Sequence, residues 1–308
     1  MNEQMLIQHA LKFLAECDYD RRPVTSKMLS DHLLISELRT EHLIRDLRSA
    51  DLMKAEGFDL TDAGRDYALH VLQAHRLYET YLARRTGLPE SAWHELADVR
   101  EHELSEEDVQ RLADELGHPR YDPHGDPIPT STGEMPVKRG RPLTDYPAGW
   151  AGRVVHIEDE PPRLYAQIAA AGIAPDTALR VEYKDAHGMT IRTEGHTFIF
   201  PYEVAAKVCA VEFSPGEGFD ESVERLTSLS AGERAVIVGL SPLCRGLERS
   251  RLLDLGFVPQ STVEVDLVNP SGSPIAYRIR GACIALRREQ AERVRIRRIR
   301  GDDEKKSE

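Results

Sequence analysis

The chain has 308 residues, of which 41% are hydrophobic, and this length suggests two or three domains with cores of their own. The formal net charge of −12 argues against a protein coated with basic patches for nucleic acid, although it leaves room for a local basic face. The four cysteines are widely spaced and no apolar run approaches the roughly 18 residues of a membrane span, so we expect a cytoplasmic protein without a membrane partner.

The first 66 residues have the pattern of a winged helix-turn-helix. Helical periodicity runs from Met5 to Glu16, Thr25 can cap a second helix, and Ser36 can cap a third. Residues 52–64 can pair as a small hairpin. Three helices with a tight turn between the second and third, followed by a hairpin, predict a DNA-binding domain over residues 1–66.

The third predicted helix has an apolar face and a polar face. Leu43, Ile44 and Leu47 share the apolar face and are expected to pack on the core. The opposite face would meet the major groove of double-stranded DNA. The candidate contact residues on it are Leu38, Arg39, Glu41, His42 and Arg45. Arg45 can donate to guanine or phosphate, whereas Glu41 would repel phosphate or accept from a cytosine amine.

Imidazole and carboxylate side chains recur at helical spacing between residues 74 and 105. They are His75 and Glu79 on one predicted helix, and His94, Asp98, Glu101 and His102 on the next. Neighbouring members are three or four residues apart, a spacing that places side chains on one helix face. The short loop GLPES between the two helices predicts antiparallel neighbours. Such side chains can form ordinary solvated pairs, or they can bind a divalent transition metal such as Mn, Fe, Co, Ni or Zn.

The same region carries HRLYE, WHELADVREHELS and, further on, YDPHGDPIPT. Through these motifs it resembles the dimerisation domain of the diphtheria-toxin-repressor family, the metal-dependent regulators that include DtxR, IdeR and MntR. The form E-H-x-L-S followed by G-[ND]-P-I-P is uncommon and carries most of the resemblance. The resemblance implies a homodimer that binds a DNA operator, with a helical metal-binding and dimerisation domain over residues 67–129.

The resemblance also implies two metal sites in each subunit. The ligands of the first would be Asp98, Glu101, His102 and, from the first helix, Met5, and Gln8 could contribute an amide or main-chain oxygen from the same helix. The ligands of the second would be His75, Glu79 and His94. Residue 98 is often Cys in iron-type regulators and Glu in manganese-type ones, so the hard oxygen of Asp98 favours Mn(II), or Fe(II) in an oxygen-rich shell. A thioether from Met5 would favour a softer metal.

The C-terminal half contains an internal repeat after a Pro- and Gly-rich linker at residues 130–148. AGIAPDTALRVEY aligns with LGFVPQSTVEVDL, and GHTFIFPYEVAAKV aligns with GACIALRREQAERV. Short alternating segments predict two small β barrels, each with one short helix, over residues 149–214 and 222–298. Both resemble the FeoA or SH3-like domain of the same regulators and of ferrous-iron transport accessory proteins. The expected fold class is therefore α+β multidomain.

The expected function is a transcriptional regulator that responds to Mn(II) or Fe(II), and most simply a repressor of metal-homeostasis genes. The alternative is a metal-sensing or iron-transport accessory protein that keeps the scaffold but binds a protein partner. The recognition helix is poorer in Ser, Thr and Gln than is usual in the family, and the hairpin is shorter, which favours the alternative. An enzyme with a small-molecule substrate is not expected, because no H-E-x-x-H motif and no separate general base are present.

Overall fold

The computed structural model describes residues 3–299. The chain divides into two compact units. Of the described residues, the first unit contains 3–82, 88–122 and 126–137, and the second contains 83–87, 123–125 and 138–299. Within the described range, no helix combines the length and the apolar character needed to cross a membrane.

Six α-helices account for most of the N-terminal part of the chain. They are α1 (Glu3–Tyr19), α2 (Ser26–Leu33), α3 (Glu37–Ser49), α4 (Asp62–Arg85), α5 (Trp93–Arg100) and α6 (Glu106–Leu116). The predicted caps are present, since the Thr25 and Ser36 hydroxyls accept from the backbone N–H groups of Met28 and Arg39. Helices α1 to α3 with the turns between them form the predicted helix-turn-helix.

The predicted hairpin after α3 is reduced to a single antiparallel bridge between Met53 and Leu60. Arg48 of α3 fixes this short wing by donating to the carbonyl oxygens of Lys54 and Gly57. The wing also packs closely on the start of α4, because a Cβ atom added to Gly64 would lie 1.8 Å from the Leu52 carbonyl oxygen. The wing is therefore short, and it is fixed by hydrogen bonds from α3 and by close packing on α4.

The apolar face predicted for α3 lies inside the helix-turn-helix core. Leu43, Ile44 and Leu47 are all buried there, with Leu11 of α1 and Leu29 of α2 in the same cluster. A second cluster lies between α4 and α6 and includes Leu77 and Val109. Helix α6 begins at a capping box in which the Ser105 hydroxyl accepts from the Asp108 N–H, so the serine of E-H-x-L-S starts a helix.

The C-terminal part contains two six-stranded antiparallel sheets. The strands of the first are β1 (Arg141–Pro142), β2 (Ala151–Ile157), β3 (Ala178–Asp185), β4 (Gly188–Thr193), β5 (His196–Phe200) and β6 (Val208–Glu212). The strands of the second are β7 (Val223–Arg225), β8 (Arg234–Leu240), β9 (Thr262–Val268), β10 (Ile275–Ile279), β11 (Ala282–Leu286) and β12 (Val294–Arg298). Each sheet encloses its own apolar cluster.

The two sheets repeat one topology. Their strand orders are β1-β6-β2-β3-β4-β5 and, read in the same direction, β7-β12-β8-β9-β10-β11. Each copy carries two helices where one was predicted, namely α7 (Pro162–Ala170) and α8 (Tyr202–Ala205) in the first, and α9 (Gly246–Asp254) and α10 (Arg288–Glu292) in the second. The structure confirms the α+β class and the duplication.

Part of the segment predicted as linker belongs to the first sheet. Strand β1 pairs with β6, with Arg141 opposite Ala210 and Pro142 opposite Cys209. Leu143 follows in a short 3₁₀ turn and is fully buried. The composition of this segment is typical of a loop, but a single leucine and two paired backbone residues are enough to attach it to the barrel.

Candidate metal centre

Helices α4 and α5 bring together the side chains predicted for the second metal site. His75 Nε2 lies 3.3 Å from Glu79 Oε1, and His94 Nδ1 lies 3.2 Å from the same oxygen. One ligand atom from each of these three residues lies within 4.8 Å of the others. We refer to His75, Glu79 and His94 as the α4 set. Imidazole nitrogens and a carboxylate at this separation fit a divalent transition metal.

The residues predicted for the first site divide into two adjoining groups. Asp98 and Glu101 face His75, whose Nδ1 contacts Glu101 Oε2 and lies 3.4 Å from Asp98 Oδ1. These three residues form a second group of metal-type donors, which we call the central set. Helix α5 ends at Arg100, but Glu101 keeps α-helical backbone angles (φ −53°, ψ −29°). The helical spacing predicted between Asp98 and Glu101 is therefore present, although Glu101 lies one residue beyond the end of α5.

The ammonium of Lys12, from α1, lies within the central set. Its Nζ atom is 2.9 Å from Asp98 Oδ1, 3.0 Å from Glu101 Oε2 and 3.4 Å from His75 Nδ1. The lysine side chain is 10% exposed and that of Glu101 is fully buried. A buried ion pair of this kind needs close geometry to offset the loss of hydration, and the two carboxylates provide it.

His102 forms the third group with two residues of α1. Its Nδ1 contacts the side-chain oxygen of Gln8, and its Nε2 lies 3.3 Å from His9 Nε2 and 3.8 Å from Glu101 Oε1. Gln8 is oriented by donating from its Nε2 to the Tyr67 hydroxyl at 2.9 Å. His9, Glu101 and His102 meet the spacing of a metal-binding group, and we call them the α1 set.

Met5, the predicted ligand from α1, lies on the same helix three residues before Gln8 and is half-buried. The α1 residues whose contacts with the donor groups are described above are Gln8, His9 and Lys12. His9 follows Met5 by four residues, so the two lie on one face of α1. The same spacing rule that selects donors on α4 and α5 therefore selects His9 as a possible ligand. A search of the sequence for metal ligands does not select Lys12, because lysine is not a usual metal ligand. Its only signal in the sequence is that it follows Gln8 by four residues, which places both on one face of α1.

The electrostatics separate protonated from neutral imidazoles. Burial and Lys12 lower the pKa of His75, but Glu79 and Glu101 outweigh them and raise this pKa to about 9. Burial and the charge of Lys12 lower the pKa of His9, and burial also lowers that of His102. Neutral imidazole is the form that binds metal. At neutral pH the imidazoles of the α1 set are therefore in the neutral form, whereas His75 holds a proton that a metal would have to displace.

Asp98, Glu101 and Lys12 stabilise one another in their charged forms, and their pKa values shift accordingly. Burial alone would raise the pKa of Asp98, yet Lys12, His75 and His94 outweigh it and lower this pKa to about 2. Burial likewise opposes the charged form of Glu101, but hydrogen bonding from His75 and the charge of Lys12 lower its pKa. Glu101 and Asp98 in turn raise the pKa of Lys12 against the effect of its burial.

The low pKa of Asp98 predicts a specific acid sensitivity of the metal-free protein. A carboxyl whose pKa is depressed on folding contributes stability above its unfolded pKa, and this contribution is lost as the pH falls through the folded value of about 2. In chelator, urea unfolding of wild type and Asp98→Asn should therefore differ most near neutral pH, with the difference shrinking below about pH 4. A difference that stays constant down to pH 2 would contradict the assignment of this pKa.

The five predicted DNA-contact residues all lie on the solvent side of α3. Leu38, Arg39, Glu41, His42 and Arg45 are exposed, opposite the buried face of the helix. Leu38 is 65% exposed, so this face of α3 carries an aliphatic side chain beside the polar ones. Their placement leaves the whole outer face of α3 available.

Comparisons with known proteins identify both halves of the chain. The family model for the iron dependent repressor metal binding and dimerisation domain matches residues 61–130, and that for the FeoA domain matches residues 141–211 and 224–298. A fusion of Fe(2+) transport protein A with Fe(2+) transporter FeoB from Porphyromonas gingivalis is 39% identical over 72 residues, which are 23% of this chain and 8% of that protein.

Longer relatives share the N-terminal half. The iron-dependent repressor IdeR of Mycobacterium bovis is 33% identical over 164 residues, which cover 49% of this chain and 71% of IdeR. A solved manganese-dependent transcriptional repressor in complex with manganese has a TM-score of 0.60 at 31% identity, and the match covers 66% of this chain and 100% of that one. The manganese regulator SloR shares the fold, with a TM-score of 0.57 at 23% identity over 67% of this chain and 98% of SloR. The chain therefore belongs to the iron-dependent repressor family of metal-dependent transcriptional regulators.

Proposed function

We propose that this chain is a metal-responsive repressor of metal-homeostasis genes that acts in the cytoplasm as a homodimer on a DNA operator. The observation that carries the proposal is the contact of α1 with the end of α5 and the residues just after it, Asp98 to His102, which we call the α5 turn. Helix α1 belongs to the helix-turn-helix core, and its Gln8, His9 and Lys12 side chains meet Asp98, Glu101 and His102. The DNA-binding domain and the donor cluster are thus joined through one helix.

The residues present fit a divalent transition metal. The α1 set and the α4 set each supply two imidazoles and one carboxylate, and Asp98 adds a hard oxygen ligand between them. These carboxylates suit Mn(II) or Fe(II), and Met5 remains a candidate ligand from α1. A bound divalent ion would supply positive charge shared by α1 and the α5 turn. The protein's own contribution is to fix the donors, since Tyr67 orients Gln8 and Gln8 orients His102.

The homodimer is supported by an apolar surface next to the donor cluster. Leu96 and Val99 of α5 are 41% and 59% exposed and are three residues apart, so they share one helix face. A second copy of the chain packed on this face would bury both side chains. A two-fold dimer would present two α3 helices to two half-sites of an operator about one helical turn apart.

The test is metal-dependent DNA binding to the upstream region of the gene that encodes this protein. Footprinting at moderate salt should show protection when Mn(II) or Fe(II) is present and none in chelator, because the α1 contacts differ between the two conditions. Protection that is equal in both conditions, or absent in both, would contradict the proposal. Absence in both would instead support an accessory role with a protein partner.

Replacing Arg45 with alanine should weaken this DNA binding about tenfold or more and leave Mn(II) affinity unchanged. Arg45 is exposed on α3, far along the chain from the donor residues, and one arginine contact to a base is worth about 1–3 kcal/mol. Fluorescence anisotropy with labelled DNA and calorimetry with Mn(II) measure the two effects. Arg111→Ala on α6 is the matched control, since its side chain is 74% exposed outside α3. If both arginine variants weaken DNA binding equally, α3 is not the helix that contacts the DNA bases.

A further inference from the structure

Lys12 places a positive charge where a metal ion would meet the central set. Its ammonium contacts both carboxylate oxygens of Glu101, at 3.0 Å and 3.3 Å, and Asp98 Oδ1 at 2.9 Å. His75 Nδ1 is the fourth neighbour at 3.4 Å. Asp98 Oδ1 and both carboxylate oxygens of Glu101 therefore already face a cation supplied by the chain itself.

A charged lysine and a metal ion cannot share this position. The ammonium has three N–H donors and no acceptor, so it satisfies carboxylates but offers no lone pair to a metal. The nearby acids favour its charged form, as described above. A divalent ion among the same oxygens would bring a second positive charge within a few ångströms of Nζ, and at such distances in a partly dry site the repulsion is strong.

We propose that Lys12 is a tethered cation that joins α1 to the α5 turn in the metal-free protein, and that a divalent metal enters the central set only by displacing it. The inference deepens the proposed function, because it assigns the residue that sets the metal affinity of the same cluster. Lys12 supplies one positive charge to Asp98 and Glu101 before any ion arrives. The central set therefore binds metal more weakly than its carboxylates alone would allow, and the threshold concentration of metal rises.

The arrangement also links the three donor groups. The central set shares Glu101 with the α1 set and His75 with the α4 set. Movement of the Lys12 ammonium would release Glu101 and His75 together, and these two side chains are in direct contact. Lys12 is thus a positioning residue that acts through Glu101 and His75 and does not itself bind the metal.

The first test compares Mn(II) binding to the full chain of wild type and Lys12→Met by calorimetry. Methionine keeps the length of the side chain and removes its charge, so we expect the Mn(II) affinity to rise at least tenfold. Lys27→Met is the matched control, because Lys27 forms an exposed pair with Asp31 on α2 and should leave the affinity unchanged. Equal affinity in wild type and Lys12→Met, weaker binding by Lys12→Met, or no Mn(II) binding by either protein would overturn the proposal.

A second test uses the wild-type protein and does not depend on the folding of a variant. Acetylation of each lysine by a mild acylating reagent is followed by peptide mass spectrometry with and without saturating Mn(II). Lys12 should react at least tenfold more slowly than exposed Lys27 in chelator, and at least threefold faster with Mn(II) than without it. A Lys12 rate that is unchanged or lowered by Mn(II) would overturn the proposal.

Neither test uses DNA. If wild type shows no metal-dependent footprint while Lys12→Met still gains Mn(II) affinity, the proposed repressor function fails and the role of Lys12 stands. If the footprint appears but Lys12→Met leaves Mn(II) affinity unchanged, the repressor function stands and the role of Lys12 fails.

Discussion

Replacing Glu101 with glutamine should destabilise the metal-free protein by about 3 kcal/mol and lower its Mn(II) affinity by about 100-fold. The Glu101 side chain is fully buried and pairs with both Lys12 and His75. Glutamine keeps the shape of the side chain but removes the negative charge that Lys12 and His75 share. Losing this charge in the interior costs more free energy than losing a surface ion pair. The same carboxylate belongs to the α1 set and the central set, so both lose a ligand.

Urea unfolding in chelator and calorimetry with Mn(II) measure the two losses of Glu101→Gln. The neighbouring Glu103→Gln is the control, because Glu103 is 56% exposed and pairs only with Arg100 at the surface in the contacts described. Its cost should stay within about 0.5 kcal/mol, with unchanged Mn(II) affinity. Equal effects of the two substitutions would show that Glu101 has neither the buried pairing nor the ligand role assigned to it.

Replacing Arg76 with methionine should cost about 3–5 kcal/mol of unfolding free energy. The guanidinium of Arg76 is 8% exposed and donates to the Pro127 carbonyl oxygen at 2.6 Å and to Glu16 Oε1 at 2.8 Å. Asp122 and Asp126 each lie 4.0 Å from it. Methionine fills similar space but leaves these acids without their shared cation and the carbonyl without its donor.

Arg65 provides the comparison on the same helix. It pairs with Asp18 of α1, but both side chains are about half exposed, at 49% and 50%. Arg65→Met should cost less than about 1 kcal/mol in the same urea titration, because surface ion pairs contribute little. A loss for Arg76→Met no larger than that for Arg65→Met would mean that the buried network does not hold α4 to the Asp122–Pro127 segment.

The Arg76 network gives a physical reason for a motif that the sequence identifies only by resemblance. Asp122, Asp126 and Pro127 belong to YDPHGDPIPT, and the structure assigns them to one buried arginine. The glycine of the motif is required for a different reason. Gly125 has φ +95°, and a Cβ atom there would lie 2.1 Å from the Val155 carbonyl oxygen. The motif is thus a structural support beside the donor cluster.

Patterns that are local in sequence predicted the structure well. The helical spacing of His75 and Glu79 anticipates the part of the α4 set that lies on one helix, and Leu43 with Leu47 anticipates the buried face of α3. Helical periodicity and caps depend on residues within one or two turns, so a single sequence contains them.

The contribution of α1 to the donor cluster could not be predicted in the same way. Lys12 and Asp98 are 86 residues apart, and Gln8 and His102 are 94 residues apart. Which turn of α1 faces the cluster depends on how the helix-turn-helix packs on α4 and α5. One residue of shift along α1 exchanges an inward side chain for an outward one. The resemblance therefore indicates Met5 and Gln8 as ligands from α1 but does not indicate the contacts that His9 and Lys12 make with the cluster.

The central claim is that metal binding at the α1–α5 contact is coupled to DNA binding by α3. Calorimetric titration of the full chain with Mn(II), with and without the footprinted DNA, tests it directly, because coupling between two ligands must be reciprocal. We expect the Kd for Mn(II) to be at least tenfold lower with DNA present, and Mn(II) to lower the Kd for DNA by the same factor. A Kd for Mn(II) that is identical with and without DNA would contradict the account.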